Sequence, residues 1–160
     1  MSVEIGSKVP DFTAPSTGGP VRLAALRGSV LVIYFYPRDA TPGCTTESRD
    51  FAALHGRFVD AGVRVLGVSR DSLASHEKFR EKQSLPFDLV SDESEELCSL
   101  FSVVKMKNMY GKKVRGIERS TFLLDRSGVL RREWRGVKVP GHAEEVLREA
   151  LALIAANPPT

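Results

Sequence analysis

The sequence contains few residues of the kinds that bind metals or form disulfides. Its 160 residues include two cysteines, Cys44 and Cys98, and three histidines, and it has no Cys-x-x-Cys pair. Two cysteines cannot build a disulfide framework, and scattered histidines lack the ligand spacing of a zinc site. We therefore predict neither a metal nor a cofactor. In such a chain we expect the cysteines to be buried or chemically reactive.

The sequence also lacks a long hydrophobic run and a strong charge of either sign. The longest uninterrupted apolar segment, residues 30–36, is far shorter than the ~20 residues that a membrane-spanning helix needs. The first thirty residues contain several prolines and glycines but no apolar signal segment. The net charge is +3, which is too small to indicate nucleic acid. We expect a cytoplasmic protein without a membrane or nucleic-acid partner.

Length and composition indicate one folded domain over residues 1–160. The chain is 42% hydrophobic and 27% charged, close to globular averages. Strands are predicted at 30–36, 63–69, 87–91, 120–125 and 129–134, and helices after Cys44, after Asp71 or Ser72, after Ser91 or Asp92, and over about 142–156. This order predicts a mixed central sheet flanked by helices, of which the thioredoxin-like fold is the smallest familiar form. Many α/β folds share its first half.

Cys44 lies at the junction between the most apolar predicted strand and the helix that follows. Ligand sites of α/β proteins favour the carboxyl ends of such strands. The first turn of a helix offers unpaired N–H groups and a partial positive charge, and both stabilise a thiolate. A reactive cysteine is one interpretation of this position. The other is a small buried core residue.

The segment around Cys44 resembles the signature of a known family. It reads Pro37-Arg38-Asp39-Ala40-Thr41-Pro42-Gly43-Cys44, like the Pro-x-x-x-Thr-x-x-Cys motif of the peroxiredoxins, the thiol peroxidases. The flanking Tyr34-Phe35-Tyr36 and Thr45-x-Glu47 resemble the peroxiredoxin Q or bacterioferritin comigratory protein branch. Further matches run in order through most of the chain: Gly6 with Pro10-Asp11-Phe12, Gly67-Val68-Ser69-x-Asp71-Ser72, Leu89-Val90-Ser91-Asp92 and Arg119-Ser120-Thr121-Phe122-Leu123-Leu124-Asp125.

The resemblance implies a thioredoxin-like fold with an N-terminal β-hairpin extension and thiol-dependent reduction of hydrogen peroxide and organic hydroperoxides. It also implies roles for four residues. Cys44 is the residue that peroxide oxidises to a sulfenic acid. Arg119 and the Thr41 hydroxyl supply hydrogen bonds during this step, and Pro37 shields the thiolate from water. Without the resemblance, Arg119 has the pattern of a solvated charge at the start of a strand.

Three neighbouring residues are expected to support this site. Gly43 allows the backbone to approach closely, and Pro42 stiffens the loop. Glu47 lies one helical turn beyond Cys44. It either pairs with Arg119 or is an ordinary acid of the first turn, facing the helix dipole.

The chain departs from its apparent branch at the second, resolving cysteine. The two positions where members carry it are occupied here by Arg49 and Arg80. Cys98 lies beside the apolar stripe of a later helix, and its simplest interpretation is a core residue. We therefore predict a one-cysteine peroxidase reduced by thioredoxin, glutaredoxin or glutathione. The alternatives are a two-cysteine mechanism that uses Cys98, and a non-enzymatic redox sensor or chaperone-like module. We expect a monomer, with a weak dimer as the alternative.

Two other groups of residues have less specific patterns. Five basic residues crowd between positions 105 and 115 without an acid, and we interpret them as a solvated loop that borders the mouth of the site: Lys105, Lys107, Lys112, Lys113 and Arg115. The histidines His55, His76 and His142 fall on helical stretches. We predict surface or packing positions for them, not a catalytic base.

Overall fold

The structure is a computed structural model that describes residues 3–156, so residues 1–2 and 157–160 of the predicted 1–160 domain lie outside it. Nine strands and four α-helices follow one another along the described chain. They are β1 (Thr13–Ala14), β2 (Val21–Arg22), β3 (Val30–Phe35), α1 (Pro42–Asp60), β4 (Val63–Ser69), α2 (Leu73–Gln83), β5 (Leu89–Ser91), α3 (Glu96–Leu100), β6 (Val104–Met109), β7 (Lys112–Ile117), β8 (Ser120–Leu124), β9 (Leu130–Arg135) and α4 (His142–Ala156). No described helix is long and apolar enough to cross a membrane.

Five strands form the central mixed sheet, in the order β5-β4-β3-β8-β9. Strands β3, β4 and β5 run parallel, whereas β8 and β9 are antiparallel to their neighbours. Strand β3 occupies the middle of the sheet, and all six of its residues are buried. A strand that is apolar on both faces suits this position, because side chains cover it from both sides. The predicted mixed sheet flanked by helices is confirmed.

The side chains of β3 divide the core into two clusters, one on each face of the sheet. Val30, Val32 and Tyr34 pack on the face covered by α1, α2 and α4, which we call the α1 face. Leu31, Ile33 and Phe35 alternate with them and pack on the other face, which we call the α3 face. There they meet α3 and the segment before β3.

The N-terminal hairpin is present as expected. Strand β1 pairs antiparallel with β2, with Thr13 opposite Arg22 and Ala14 opposite Val21. A short 3₁₀ helix, Leu23–Leu26, then leads towards β3. An isolated bridge between Ser16 and Val90 ties the hairpin to β5 at the edge of the central sheet.

The basic segment between α3 and β8 is a β-hairpin, so the prediction of a solvated loop was wrong. Strands β6 and β7 pair from Val104 opposite Ile117 to Met109 opposite Lys112. Tyr110 and Gly111 form the two-residue turn with φ of 53° and 78°. Both positive angles belong to the type I′ turn that suits two-residue hairpins. The sequence pattern was missed because exposed residues on both strands lack the alternation of a half-buried strand.

The carboxyl ends of β3, β4 and β5 lie at one edge of the sheet because these strands are parallel. The loop 36–41 and the loops after β4 and β5 leave the sheet there. Strand β8 runs the other way and begins at this edge, with Ser120 opposite Phe35. Arg119, which precedes β8, therefore lies at the same edge as the loop that leads to Cys44.

Candidate active site

Cys44 lies in the first turn of α1, directly after the loop from the central strand. The helix begins with Pro42, and Thr41 is its N-cap residue in an extended conformation. Proline is favoured at the first helical position, where its missing N–H costs no hydrogen bond. Cys44 is the third helical residue, and only 1% of it is exposed. Its sulfur is therefore held at the positive end of a 19-residue helix.

Arg119, which directly precedes β8, contacts the sulfur of Cys44 at the carboxyl end of β3. Its Nη2 donates to Cys44 Sγ at 3.4 Å. Gly43 makes this approach possible, because a Cβ atom at that position would lie 3.2 Å from Nη2 of Arg119. The guanidinium group is largely shielded, with 17% of the side chain exposed. A largely shielded positive charge is thus held beside the sulfur.

Glu47 holds the other end of the guanidinium group. Arg119 Nη1 donates to Glu47 Oε1 at 2.7 Å. Glu47 follows Cys44 by three positions and so faces the same side of α1. Of the two alternatives for Glu47, the structure shows the pair with Arg119. Cys44, Arg119 and Glu47 thus form one connected row of side chains.

Burial shifts the pKa values of Glu47 and Arg119. Glu47 is 1% exposed, and its second oxygen, Oε2, is buried and has no hydrogen-bond partner among the described residues. Burial raises the pKa of Glu47 to about 7, against the opposing effect of Arg119. For Arg119, burial works against the charge, yet Glu47 and the Cys44 sulfur raise its pKa above the ordinary value. The arginine therefore stays charged beside Cys44 throughout the neutral range.

The other predicted residues line the loop that leads into α1. Pro37 and Thr41 are half-buried at its two ends. The Thr41 hydroxyl donates to the carbonyl of Arg38 at 2.9 Å, which closes the loop on itself. Pro42 begins α1, and its carbonyl accepts from the Thr46 hydroxyl at 3.0 Å. The structure thus brings all seven predicted residues to one loop, one helix start and one facing arginine.

Cys98 lies on the opposite face of the sheet from Cys44. Its side chain belongs to the α3-face cluster, whereas Cys44 belongs to the α1-face cluster. Burial, together with a hydrogen bond to Asp92 and that residue's charge, raises the pKa of the Cys98 thiol far above its usual range. Cys98 is therefore held as a neutral thiol behind the central sheet.

The two arginines at the expected resolving positions have unrelated surroundings. Arg49 is exposed on α1. Arg80 lies near the end of α2, and its Nε donates to the carbonyl of Phe87 at 3.0 Å, which ties the helix to the segment before β5. Neither side chain can form a disulfide.

The three histidines occupy surface or packing positions, as predicted, and two of them are buried. His55 is partly exposed and packs near the ring of Phe87. His142 is buried, bonds to the Thr121 hydroxyl at 2.8 Å, and has a pKa lowered by burial to about 4. His76 is fully buried, and its Nδ1 lies 2.8 Å from Oδ2 of Asp39 in the loop 36–41. The signal for His76 was its place on the same helical stripe as Phe79, which is also buried.

A shielded cysteine at a helix start, beside an arginine and at the carboxyl edge of a thioredoxin-like sheet, defines a thiol-based redox protein. The model of the AhpC/TSA family matches residues 5–133 of the chain. The chain therefore belongs to the AhpC/TSA family, and within it to the peroxiredoxins of the Bcp or peroxiredoxin Q type. It is accordingly a thiol-dependent peroxidase.

Several relatives share most of their length with this chain. Peroxiredoxin Bcp of Xanthomonas campestris is 58% identical over 132 residues, which cover 82% of each protein. Peroxiredoxin Bcp of Bacillus subtilis is 47% identical over 92% of this chain and 95% of its own. The solved structure of the Xanthomonas campestris bacterioferritin comigratory protein, at 52% identity, superposes with a TM-score of 0.88 over 94% of this chain and 97% of that one.

Proposed function

We propose that Cys44 is the residue that reduces peroxides, with Arg119 as its main partner. The observation that carries this proposal is the hydrogen bond of 3.4 Å from Arg119 Nη2 to the shielded Cys44 sulfur. The thiolate sulfur attacks one peroxide oxygen, and the O–O bond breaks. The departing oxygen takes a proton and leaves as water or an alcohol. Cys44 is thereby oxidised to a sulfenic acid as the peroxide is reduced.

Ionisation of the thiol supplies only part of the rate. A thiol of ordinary acidity is ~3% ionised at neutral pH, so complete ionisation gains about 30-fold, or about 2 kcal/mol. Enzymes typically accelerate their reactions by about 10⁶-fold or more, which requires roughly 8 kcal/mol. The difference must come from orientation of the peroxide and from hydrogen bonds to the departing oxygen. Arg119 and the N–H groups of Gly43 and Cys44 are the donors that we assign to this role. The Thr41 hydroxyl donates to the carbonyl of Arg38, so we assign it the role of accepting a hydrogen bond from the peroxide.

The loop residues shape the space in front of the sulfur. In the proposed site Pro37 excludes water from the thiolate, and Pro42 fixes the first turn of α1. Glu47 holds the guanidinium group of Arg119 in place at 2.7 Å and leaves its second nitrogen free for Cys44 and the peroxide. This division of the two guanidinium nitrogens gives Arg119 one structural contact and one reactive contact.

The substrates proposed are hydrogen peroxide and organic hydroperoxides. The Xanthomonas campestris bacterioferritin comigratory protein has been studied for its alkyl peroxide reduction activity. At 52% identity to that protein, this chain is proposed to accept the same class of substrate. The acting unit is the whole chain, residues 1–160, as one thioredoxin-like domain that works as a monomer in the cytoplasm.

The second half of the reaction is proposed to use an external thiol. Cys44 and Cys98 pack in core clusters on opposite faces of the central sheet. A disulfide requires Cα atoms within ~7 Å, and the sheet separates these two. Arg49 and Arg80 fill the positions of a resolving cysteine. The sulfenic acid would therefore react with thioredoxin, glutaredoxin or glutathione to give a mixed disulfide and water, and a second thiol would release Cys44.

A peroxidase assay with each reductant in turn tests this function. Hydrogen peroxide and an alkyl hydroperoxide are supplied as substrates, and consumption is followed with thioredoxin, glutaredoxin plus glutathione, or glutathione alone. We expect catalytic turnover with at least one of these reductants. Oxidation of Cys44 that stops after one equivalent of peroxide with all three would contradict the enzyme and favour a redox sensor.

A further inference from the structure

A buried ion pair lies beneath the loop between β3 and α1. Asp39, in the middle of that loop, and His76, on α2, have side chains that are 4% and 0% exposed. Nδ1 of His76 lies 2.8 Å from Oδ2 of Asp39. The pair joins the loop that carries Pro37 and Thr41 to a separate helix, and the reaction described above does not use it.

Both ring nitrogens of His76 face oxygen atoms. Nδ1 faces the Asp39 carboxylate, and Nε2 lies 2.9 Å from the carbonyl oxygen of Val90 on β5. A carbonyl oxygen can only accept a hydrogen bond, so Nε2 must carry a proton. A neutral imidazole has a proton on one nitrogen only, whereas an imidazolium donates from both. The two contacts are those that a doubly protonated ring would make to a carboxylate and a carbonyl oxygen.

The surroundings of Asp39 match a carboxylate anion. The Tyr36 hydroxyl donates to Oδ1 at 2.6 Å, and the Ser75 hydroxyl donates to Oδ2 at 2.9 Å. With His76, three side chains converge on one buried acid, Tyr36 from the loop itself and the other two from α2. The neighbouring acid Asp71, after β4, accepts from the Asp39 N–H at 2.8 Å. The Asp39 carboxyl group thus has hydrogen-bond partners from its own loop and from α2.

The same residues do not require a bound cation. Ligand atoms of Asp39, Asp71 and His76 lie within 4.8 Å of one another, which would suit a metal ion. However, Oδ2 of Asp39, Oδ2 of Asp71 and both ring nitrogens already take part in hydrogen bonds within the protein. The cluster is satisfied by its own side chains and backbone.

The loop above this ion pair has a backbone conformation that needs support. Ala40, which follows Asp39, has φ of 61°, in the left-handed region that disfavours residues with a Cβ atom. Such a conformation persists where the surrounding structure fixes it. The Asp39 side chain is held by α2, and its N–H is held by Asp71. These anchors fix the backbone at Asp39, two residues before Thr41, the N-cap of α1.

We propose that the ion pair of Asp39 and His76 positions the loop 36–41. It holds this loop in the conformation that presents Thr41 and the start of α1 to the peroxide. This inference rests on the proposed function, because it concerns the same site. The pair contributes no atom to the reaction. It makes peroxide reduction depend on the packing of α2, an element that contributes none of the residues assigned to the reaction.

The first test compares two reactions of Cys44 in Asp39→Asn and His76→Gln. Single-turnover oxidation by hydrogen peroxide requires the aligned loop, whereas alkylation by iodoacetamide requires only an accessible thiolate. We expect oxidation to slow by roughly 10- to 100-fold, since a small misplacement near a reacting centre has effects of this size. Alkylation should stay within about twofold, because Arg119 and the helix start still stabilise the thiolate.

The matched control is His55→Gln, which removes a histidine on α1 that lies outside the ion pair. It should change neither reaction. Equal slowing of oxidation and alkylation in Asp39→Asn and His76→Gln would mean general loosening and would overturn the proposal. So would oxidation rates that remain at the unmodified level. If the unmodified protein itself is not oxidised by peroxide, the proposed function fails instead.

The second test reads the charge of His76 directly in the unmodified protein. The ¹⁵N signals of both ring nitrogens should fall in the range of protonated nitrogens at neutral pH. A signal from an unprotonated ring nitrogen of His76 at that pH would overturn the ion pair. This measurement remains decisive if Asp39→Asn or His76→Gln fails to fold. Ser75→Ala, which removes one donor to Asp39, provides a milder variant, with an expected slowing of a few-fold in oxidation alone.

Discussion

Cys44 and Cys98 occupy similar places in their helices but meet opposite charges. Each is the third residue of a helix, Cys44 in α1 and Cys98 in α3. Each is 1% exposed or less. Arg119 donates to the Cys44 sulfur at 3.4 Å. At Cys98, burial and then the neighbouring carboxylate of Asp92 raise the pKa of the thiol. A thiolate is an anion, so the arginine favours it and the aspartate opposes it.

This comparison shows that burial and a helix start do not by themselves make a cysteine reactive. At α3, Asp92 already occupies the first-turn N–H groups: it accepts from Leu97 N at 3.0 Å and from Cys98 N at 2.8 Å. The carboxylate thereby takes the place that a thiolate would need. At α1, Thr41 makes no side-chain capping bond, so the helix start is left to the sulfur. We therefore base the reactivity proposed for Cys44 on the charge of its neighbour and on which group caps the helix.

The largest effect on the difference between the two cysteines is expected for Cys44→Ser. We expect thiol-dependent peroxide consumption to fall roughly 1,000-fold or more, to the uncatalysed background, because a serine hydroxyl does not supply an anionic sulfur nucleophile. Steady-state peroxide consumption with the preferred reductant measures the loss. Cys98→Ser is the matched control, since it makes the same chemical change on the opposite face. Substantial turnover by Cys44→Ser would refute the assignment of Cys44.

The next largest effect is expected on the free energy of unfolding, through the buried acid Glu47 on α1. The pKa of Glu47 is raised from 4.5 to about 7, so the folded state holds a proton that the unfolded chain releases. Stability should therefore fall as pH rises from about 4.5 and level off above about 7. The total loss is about 3 kcal/mol. Glu47→Gln cannot lose this proton, so it should lack the decrease and gain on the unmodified protein at pH 8.

Denaturant unfolding at a series of pH values measures this dependence. Glu93→Gln is the control, because Glu93 is an exposed acid near α3 and its loss should leave the pH dependence unchanged. Parallel curves for Glu47→Gln and the unmodified protein would contradict a raised pKa at Glu47. That outcome would mean that Arg119 keeps the carboxylate ionised despite its burial.

Arg119→Ala tests the charge that distinguishes the two cysteines. The rate of Cys44 oxidation by peroxide should fall at least about tenfold, or about 1.4 kcal/mol of barrier, because a charge-assisted contact is lost. Single-turnover kinetics measure the rate, and circular dichroism checks the fold. Arg49→Ala, on the same helix as Cys44 but exposed, should react at the normal rate. An unchanged rate in folded Arg119→Ala would remove Arg119 from the mechanism.

The sequence predicted the parts of this comparison that depend on local pattern. The continuous apolar run of β3 marked the centre of the sheet, and the change of period after it marked the start of α1. Cys44 could therefore be placed at a helix start at the carboxyl edge. The resemblance to peroxiredoxins then added Arg119, which lies 75 positions away and has no local signal of its own.

Other features depend on packing between distant segments and were not predictable in this way. The opposite faces of Cys44 and Cys98 follow from how α1 and α3 cross the sheet. The ion pair of Asp39 and His76 joins residues 37 positions apart. In the sequence, Asp39 occupied an unspecified position of the motif and His76 one position of a helical stripe. Most of the described side chains of the basic hairpin formed by β6 and β7 are exposed, so the hairpin lacks the alternation that strand prediction detects.

The smallest effect is expected for Cys98→Ser, and it decides between one-cysteine and two-cysteine mechanisms. Peroxidase activity with a small external thiol should stay within about twofold, because Cys98 lies behind the sheet and does not contact the site. Stability should change by about 1 kcal/mol, as is common for one polar atom exchanged in a core. Loss of most activity in a folded variant would restore Cys98 as the resolving thiol.

Intact-mass analysis of the unmodified protein completes this test. One equivalent of peroxide should add one oxygen, and a dimedone probe should label the resulting sulfenic acid at Cys44. Excess peroxide should then add a second oxygen, because no internal thiol competes for the sulfenic acid. Loss of two hydrogens without added oxygen would instead mean a bond between Cys44 and Cys98 and would contradict the proposed one-cysteine mechanism. Disulfide-linked dimers would mean that a second copy of the chain supplies the thiol.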